Sequence, residues 1–363
     1  MSNITNAQNP FYGQYHTPHG TVPFDRIETE HYEPAILEGI KLQNAEIEAI
    51  IQNPEKADFS NTIEAFEESG ELLDKVVAVF GNMLSAETND DLQELAQKIM
   101  PLLSEHSNNI TLNEKLFARV KEVYNQKETL QLTQEQKQLL ENAYNSFVRH
   151  GANLEGEARE EYRRLTTELS KLTLTFSENN LKETNAYQML LTKKESLAGL
   201  PEIIIEARAF TLHAPSYIPF MTYSDNRDLR QKLYMAYNTK CTHDNEFNNI
   251  DIVKKIANTR MKIAQLLGYK DYAEYTLKKR MAENSKSVYK LLNQLLEAYT
   301  PTAQQEYKEI QELAREEQGA DFVVMPWDWS YYSNKLKDKK FNINEEMLRP
   351  YFELEQVKKG VFG

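Results

Sequence analysis

The pattern of apolar and polar residues predicts a chain built mainly of amphipathic helices. The strongest signal lies in 154–176, where apolar residues recur at steps of three or four and so share one face of a helix. The members of this stripe are Leu154, Ala158, Tyr162, Leu165, Leu169, Leu172 and Phe176. A second stripe of isoleucines predicts another helix over 34–51.

Residues that begin and end helices mark several of these elements. Asn61 with Glu64, and Thr133 with Gln136, stand at the spacing of a capping box, which predicts that a helix begins at each pair. Three glycines are placed to close helices, because glycine readily adopts the left-handed conformation of a helix C-terminus. They are Gly151, Gly268 and Gly319.

The second half of the chain repeats this helical pattern. We expect a helix over 225–240 capped by Ser224 or Asp225, another over 249–267, and a long one over 285–318 with a kink at Pro301. Between the two helical regions, 186–224 has the texture of short strands or extended segments. The fold class predicted is therefore all-α with a minor extended part.

These patterns divide the chain into four regions. Residues 1–25, rich in Pro and Gly, predict an extended N-terminal arm. We expect an N-terminal helical domain over 26–185, a connecting extended segment over 186–224, and a second helical region over 225–363.

Charge and composition narrow the range of partners. The chain has 42 Lys plus Arg and 55 Asp plus Glu, a net charge of −13, which argues against nucleic acid and anionic membranes as partners. No apolar run approaches the ~18 residues that a membrane span needs. The single cysteine, Cys241, cannot form an internal disulfide. As written, the chain is expected to be cytoplasmic, or periplasmic if a signal peptide has been removed.

No motif for catalysis or metal binding occurs in the sequence. A zinc hydrolase of the H-E-x-x-H type needs two histidines one helical turn apart, and none of the seven histidines begins such a motif. His16 and His19 lie in the flexible arm, and Cys241 with His243 has the wrong spacing for an assembled thiolate pair. We therefore expect no catalytic residue, no metal ligand and no cofactor in this chain.

Both tryptophans lie in one aromatic segment, "MPWDWSYYSNKL", residues 325–336. Asp328 is placed to cap a helix there. On that helix Trp329, Tyr332 and Leu336 share the face expected to be core, while Tyr331 faces outward with Lys335.

An outward tyrosine beside a tryptophan can line a peptide-binding groove. Trp327 and Tyr331 are therefore the candidate substrate-binding residues, although a small packing cluster would explain the same pattern.

Six segments in order resemble successive blocks of the thimet oligopeptidase family of zinc metallopeptidases, in particular its bacterial peptidyl-dipeptidase branch. They begin at 146–154 and end at the last residue. The blocks are "SFVRHGANL", "LSKLTLTFSENNLKET", "PSYIPFMTYSDNRDLRQKLYMAYNTK", "TRMKIAQLLGYKDYAEYTLKKRMAENSKSV", "WDWSYYSNKL" and "LRPYFELEQVKKGVFG".

This resemblance implies the N-terminal half of such an enzyme. The implied fold is an elongated multi-helix bundle that forms one wall of a substrate channel, and 225–363 would lead into a missing catalytic domain that carries the zinc. The complete protein would hydrolyse short unfolded peptides, releasing C-terminal dipeptides, and this chain alone would be inactive. Its apolar ending, with Phe352, Val357, Val361 and Phe362, suggests a surface that could support self-association. The alternative is a free-standing helical module that binds peptides or proteins without catalysis.

Overall fold

A computed structural model describes residues 9–205, 208–342 and 345–363, and these residues are mainly helical. The predicted all-α class with a minor extended part is confirmed. The helices are α1 (Thr29–Gln52), α2 (Ala65–Glu67), α3 (Glu71–Ala86), α4 (Asp90–Thr111), α5 (Glu114–Asn125), α6 (Gln134–Arg149), α7 (Gly156–Ala186), α8 (Glu202–Ile205), α9 (Ala214–Tyr223), α10 (Arg227–Asn238), α11 (Ile250–Leu266), α12 (Tyr272–Leu277), α13 (Ser285–Gln318), α14 (Trp329–Phe341), α15 (Glu345–Leu348) and α16 (Leu354–Phe362). Two strands, β1 (Met189–Leu190) and β2 (Ala209–Phe210), pair antiparallel with Met189 opposite Phe210.

The chain folds into two compact units. The first comprises Met1–Glu178 and Ile252–Thr276, and the second Asn179–Asp251 and Leu277–Gly363. In the first unit the arm is not loose, because Phe11 is fully buried and its ring centroid lies 5.4 Å from that of Tyr32 on α1. None of the described helices has the length and apolar content to cross a bilayer.

Two of the local signals are confirmed in the first unit. Thr133 and Gln136 form the expected capping box of α6, each side chain bonding the other residue's backbone N–H. Gly151 follows the end of α6 with φ +85°, where a Cβ would lie 3.0 Å from Leu154. Glycine is therefore favoured there by its conformation, and an added Cβ would crowd the Leu154 side chain.

The helix start predicted at Asn61 is wrong. Asp58 is the N-cap, and Asn61 at position N3 completes a capping box with it. Asn61 N donates to Asp58 Oδ1 at 2.7 Å, while Asp58 N donates to Asn61 Oδ1 at 3.1 Å. The same spacing was thus available three residues earlier, and the earlier start places Phe59 and Ile63 in the core. The turn that follows is a π-helix, Phe59–Glu64.

The extended segment predicted over 186–224 is only partly correct. It contains β1 and β2, but its last part is α9, which contains both Pro215 and Pro219. Pro215 lies in the first turn, where a missing N–H costs little. Pro219 lies inside the helix, where the burial of Phe220 and Met221, at 0% and 3% exposure, offsets the lost hydrogen bond.

In the second unit α9 and α10 pack together, and α14 packs on α9 and α13. The N-cap of α10 is Asn226, whose side chain accepts from Leu229 N at 3.1 Å, and not Ser224 or Asp225. α13 continues as one helix through Pro301, where a kink was predicted, and it ends at Gln318 with Gly319 as the C-cap residue, as predicted for its end. Its C-terminal turns are buried through Ile310, Leu313 and Ala314, whereas 289–308 is exposed throughout.

Candidate functional site

The aromatic segment 325–336 forms a short 3-10 helix, Pro326–Asp328, followed directly by α14. Asp328 was expected to cap that helix, but its side chain makes no capping bond there. It points instead to α10, more than 95 residues earlier in the sequence. The local pattern could not show this partner, because the contact is entirely tertiary.

Asp328 is a fully buried carboxylate held by two arginines. Arg227 Nη2 donates to its Oδ2 at 2.8 Å, and Arg230 Nη2 donates to its Oδ1 at 2.8 Å. The backbone N–H of Met325 also donates to Oδ2, at 3.0 Å. Burial raises the pKa of this carboxyl, but the hydrogen bonds from both arginines outweigh burial, so its net pKa is lowered. Asp328 is therefore ionised and is not a proton donor at neutral pH.

Arg230 ties the surrounding backbone to this carboxylate. Its side chain is 2% exposed, and it donates to Ser224 O at 2.7 Å and to Trp327 O at 3.2 Å. The guanidinium carbon also lies 4.1 Å from the ring centroid of Tyr331. All three nitrogens thus have acceptors, as a buried guanidinium requires.

Tyr331 is buried, at 7% exposure, so the prediction that it faces outward is wrong. Its hydroxyl donates to Asp225 Oδ1 at 2.8 Å, and Lys335 Nζ lies 4.8 Å from its ring centroid. Burial is the main cause of the raised pKa of this hydroxyl, and the bond to Asp225 adds to it. Arg230 covers the face of the Tyr331 ring, and Asp225 accepts from its hydroxyl. Little of Tyr331 is therefore left at the surface.

Trp327 is only partly buried and packs edge-on against Tyr234, with ring centroids 6.2 Å apart. Its indole Nε1 is buried and has no hydrogen-bond partner in the described part of the chain. Such an unpaired buried donor costs about 1–3 kcal/mol.

The prediction for the core face of α14 is correct for two of its three residues. Tyr332 is buried at 1% exposure and Leu336 packs beside it. Trp329 is instead 40% exposed and stacks on Tyr307 of α13, with ring centroids 6.4 Å apart. Sequence reasoning also missed Arg227 and Arg230, for which the only local signal is their spacing of three within "DNRDLR".

The described residues offer no zinc site, since they contain no group of three or more His, Cys, Asp or Glu able to hold a metal ion. Cys241 is buried, and burial together with Glu183 raises the pKa of its thiol to about 11. A thiol of this kind is protonated and a poor nucleophile at neutral pH. The charged groups around Trp327 can hold backbone and bind polar ligands, but they do not form an acid–base pair.

Comparison with known proteins identifies relatives for nearly the whole chain. Residues 220–363 match peptidase family M3. The dipeptidyl carboxypeptidase of Escherichia coli strain K12 is 34% identical over 98% of this chain and 54% of its own length. Oligopeptidase A of Salmonella typhimurium is 30% identical over 98% of this chain and 54% of its own length. Oligopeptidase A of Haemophilus influenzae is 32% identical over 94% of this chain and 52% of its own length. The chain thus spans about half the length of the curated relatives it matches, and over residues 220–363 it is similar to peptidase family M3.

Proposed function

We propose that this chain is the N-terminal, channel-wall part of a zinc metallopeptidase that hydrolyses short peptides and releases C-terminal dipeptides. The observation that carries the proposal is the 34% identity to a dipeptidyl carboxypeptidase along 98% of the chain, matched to only 54% of that enzyme. The H-E-x-x-H motif has no counterpart in the sequence. In this proposal the zinc and the catalytic groups belong to a further part of the protein, and the chain by itself is inactive.

The role proposed for this part is to shape the path of the peptide. Trp327 presents a partly exposed ring, which suits packing against an apolar part of a peptide, while its Nε1 is buried. Tyr331 lies beneath, fixed between Arg230 and Asp225. We therefore propose that Trp327 contacts substrate and that Tyr331 contributes by holding the segment that carries it.

The environment of the complete protein follows from the same proposal. Short unfolded peptides are the partners, and neither nucleic acid nor membrane is. The compartment is the cytoplasm, or the periplasm if an export signal precedes the chain in the original protein. An apolar surface on the isolated chain is available for self-association.

Fluorescence tests the peptide contact directly, because the chain has two tryptophans. The variant W329F leaves Trp327 as its only indole, and titration with an unstructured peptide of four to eight residues should change its emission. The matched variant W327F, which keeps Trp329, should show no change. The opposite result, a response from W327F alone, would remove Trp327 from the proposal.

Metal analysis and a peptidase assay test whether zinc binding and catalysis belong to a part of the protein outside this chain. The purified 363-residue chain should contain no tightly held zinc and should cleave no peptide. The product of a coding sequence that continues past codon 363 should bind zinc and cleave peptides. A coding sequence that stops there, in a chain that still binds peptide, would favour the free-standing binding module. One zinc per isolated chain with peptide cleavage would overturn the proposal.

A further inference from the structure

A cleft of about 570 Å³ lies in the second unit, beside the point where α13 ends. It is lined by Arg227 of α10 and by residues of 318–325. Its volume is within the range of small-molecule sites, roughly 300–1,000 Å³. Trp327 is not among the described residues that line it, so the cleft does not include the peptide contact proposed above.

The wall of the cleft is fixed by hydrogen bonds from α13. Gln311 Nε2 donates to Phe322 O at 2.8 Å, and Gln311 Oε1 accepts from Val324 N at 3.0 Å. This amide is 7% exposed and pairs with the backbone of 322–324 as a neighbouring strand would. Arg315 Nε also donates to Phe322 O, at 3.3 Å. A ligand would therefore meet a preformed surface that costs little to order.

Arg227 is held rigidly and keeps one nitrogen unused. Its Nε and Nη2 lie 3.0 Å and 2.8 Å from Asp328 Oδ2, and Nη2 also donates to Val323 O at 2.9 Å. The guanidinium carbon lies 4.3 Å from the ring centroid of Phe322. Nη1 has no partner in the described part of the chain, and the side chain is 38% exposed. Nη1 is thus a positioned donor for an incoming acceptor.

The positive charge of Arg227 is not cancelled by its partner. Asp328 is a single carboxylate shared with Arg230, so the three groups together carry one positive charge. Arg230 is 2% exposed and its nitrogens all have acceptors. The accessible part of the excess charge therefore lies at Arg227, where it favours a carboxylate.

The rest of the lining disfavours a simple anion. Asp321 lines the same cleft, is exposed, and has no partner among the described residues. Its carboxylate would repel a phosphate or a sulfate but attract an ammonium group. Val323 and Met325, which are 51% and 38% exposed, add apolar surface. These groups match a ligand that has a carboxylate, an ammonium and an apolar side chain.

We propose that this cleft binds a short peptide with free ends, of which a dipeptide is the smallest. The peptide carboxylate accepts from Arg227 Nη1, its ammonium faces Asp321, and an apolar side chain packs on Val323 and Met325. Such a zwitterion has no net charge, so the net charge of −13 on the chain does not oppose its approach. This binding goes beyond the proposed function, because it needs neither zinc nor catalysis.

Calorimetric titration of the 363-residue chain with alanyl-leucine tests the ligand. We expect a dissociation constant on the order of 1 mM, since two charged contacts and one apolar side chain are gained. The C-terminal amide, which lacks the carboxylate, should bind about ten-fold more weakly. The N-acetyl form, which lacks the ammonium, should bind about three-fold more weakly, because Asp321 is exposed to solvent. Equal affinity for the amide and the free dipeptide, or no binding at millimolar dipeptide, would overturn the proposal.

The variant V323D tests the place of binding. Its new carboxylate, at a 51% exposed position, would compete for Arg227 without removing the bonds to Asp328, and affinity should fall about ten-fold. V253D makes the same change at a 46% exposed valine of α11 and should bind as the parent does. Unchanged binding by V323D would exclude the cleft.

Two further variants separate the cleft from other sites. D321N should weaken binding of the free dipeptide about three-fold and leave binding of its N-acetyl form unchanged. W327F should bind the free dipeptide as the parent does. If W327F instead lost this binding while V323D kept it, the dipeptide would lie at Trp327, which would overturn the cleft and leave the proposed function standing.

Discussion

Asp328 and Arg230 form an ion pair from which solvent is almost fully excluded: Oδ1 and Nη2 lie 2.8 Å apart, and the side chains are 0% and 2% exposed. The pair joins α10 to the segment that carries both tryptophans. Burying two charges is costly, and breaking such a pair leaves one charge uncompensated.

We therefore expect D328N to destabilise the chain by about 3 kcal/mol, since Arg230 and Arg227 would lose the anion that they share. Urea unfolding followed by circular dichroism measures this change. The control is E316Q, which removes one member of the exposed Lys339–Glu316 pair and should change stability by less than about 0.5 kcal/mol. Equal effects from the two substitutions would contradict the structural role of Asp328.

The stability difference between the parent chain and D328N should depend on pH. The pKa of Asp328 is lowered from its ordinary value of 3.8, so the folded state favours the ionised form. The stabilisation is fully present above that value and is lost as pH falls through the lower folded-state pKa. Urea titrations between pH 7 and pH 3 should show the two chains converging, and a constant difference over this range would exclude an ionised Asp328 as the cause.

Y331F removes only the hydroxyl that donates to Asp225 and leaves the ring beside Arg230. A cost of about 0.5–1.5 kcal/mol is expected, the net worth of an ordinary hydrogen bond, because the Asp225 carboxylate that loses its donor is exposed and remains hydrated. Y289F is the matched control, since Tyr289 is 65% exposed, and its unfolding curve should overlay that of the parent. If Y331F were as stable to unfolding as the parent chain, water would replace the hydroxyl without cost.

The apolar residues near the end of the chain are exposed, as expected for an uncovered surface. Phe352 and Phe362 are 69% and 88% exposed. The double substitution F352S/F362S should therefore reduce binding of an apolar dye and any self-association, with little change in unfolding free energy. Sedimentation and dye fluorescence of both chains measure this. A parent chain that is strictly monomeric and binds no dye, unaltered by the substitutions, would favour the free-standing module over part of an enzyme.

Some signals within one helix were interpreted correctly from the sequence. The Thr133–Gln136 box and the stripe around Tyr162 and Leu165 depend on residues three or four apart, and both appear in the structure. α9 was missed because its two prolines argue against a helix, and the burial of Phe220 that offsets them is a tertiary effect.

The sequence showed where the aromatic cluster lies, but not which residues it contacts. The aromatic segment was recognised from composition, yet the outward face assigned to Tyr331 assumed that α14 buries a single side. Asp225 and Arg230, about 100 residues earlier in the chain, cover that second side. No periodicity within 325–336 carries information about them.

The exposed stretch 289–308 of α13 has a consequence for how the amides of this helix exchange with solvent. A stretch of about 20 residues is only marginally helical by itself in water, because helix nucleation is costly. The buried turn at Ile310, Leu313 and Ala314 supplies that nucleus at one end. Fraying should therefore proceed from the Ser285 end, so that amide protection rises steadily toward Gln318 instead of being uniform along the helix.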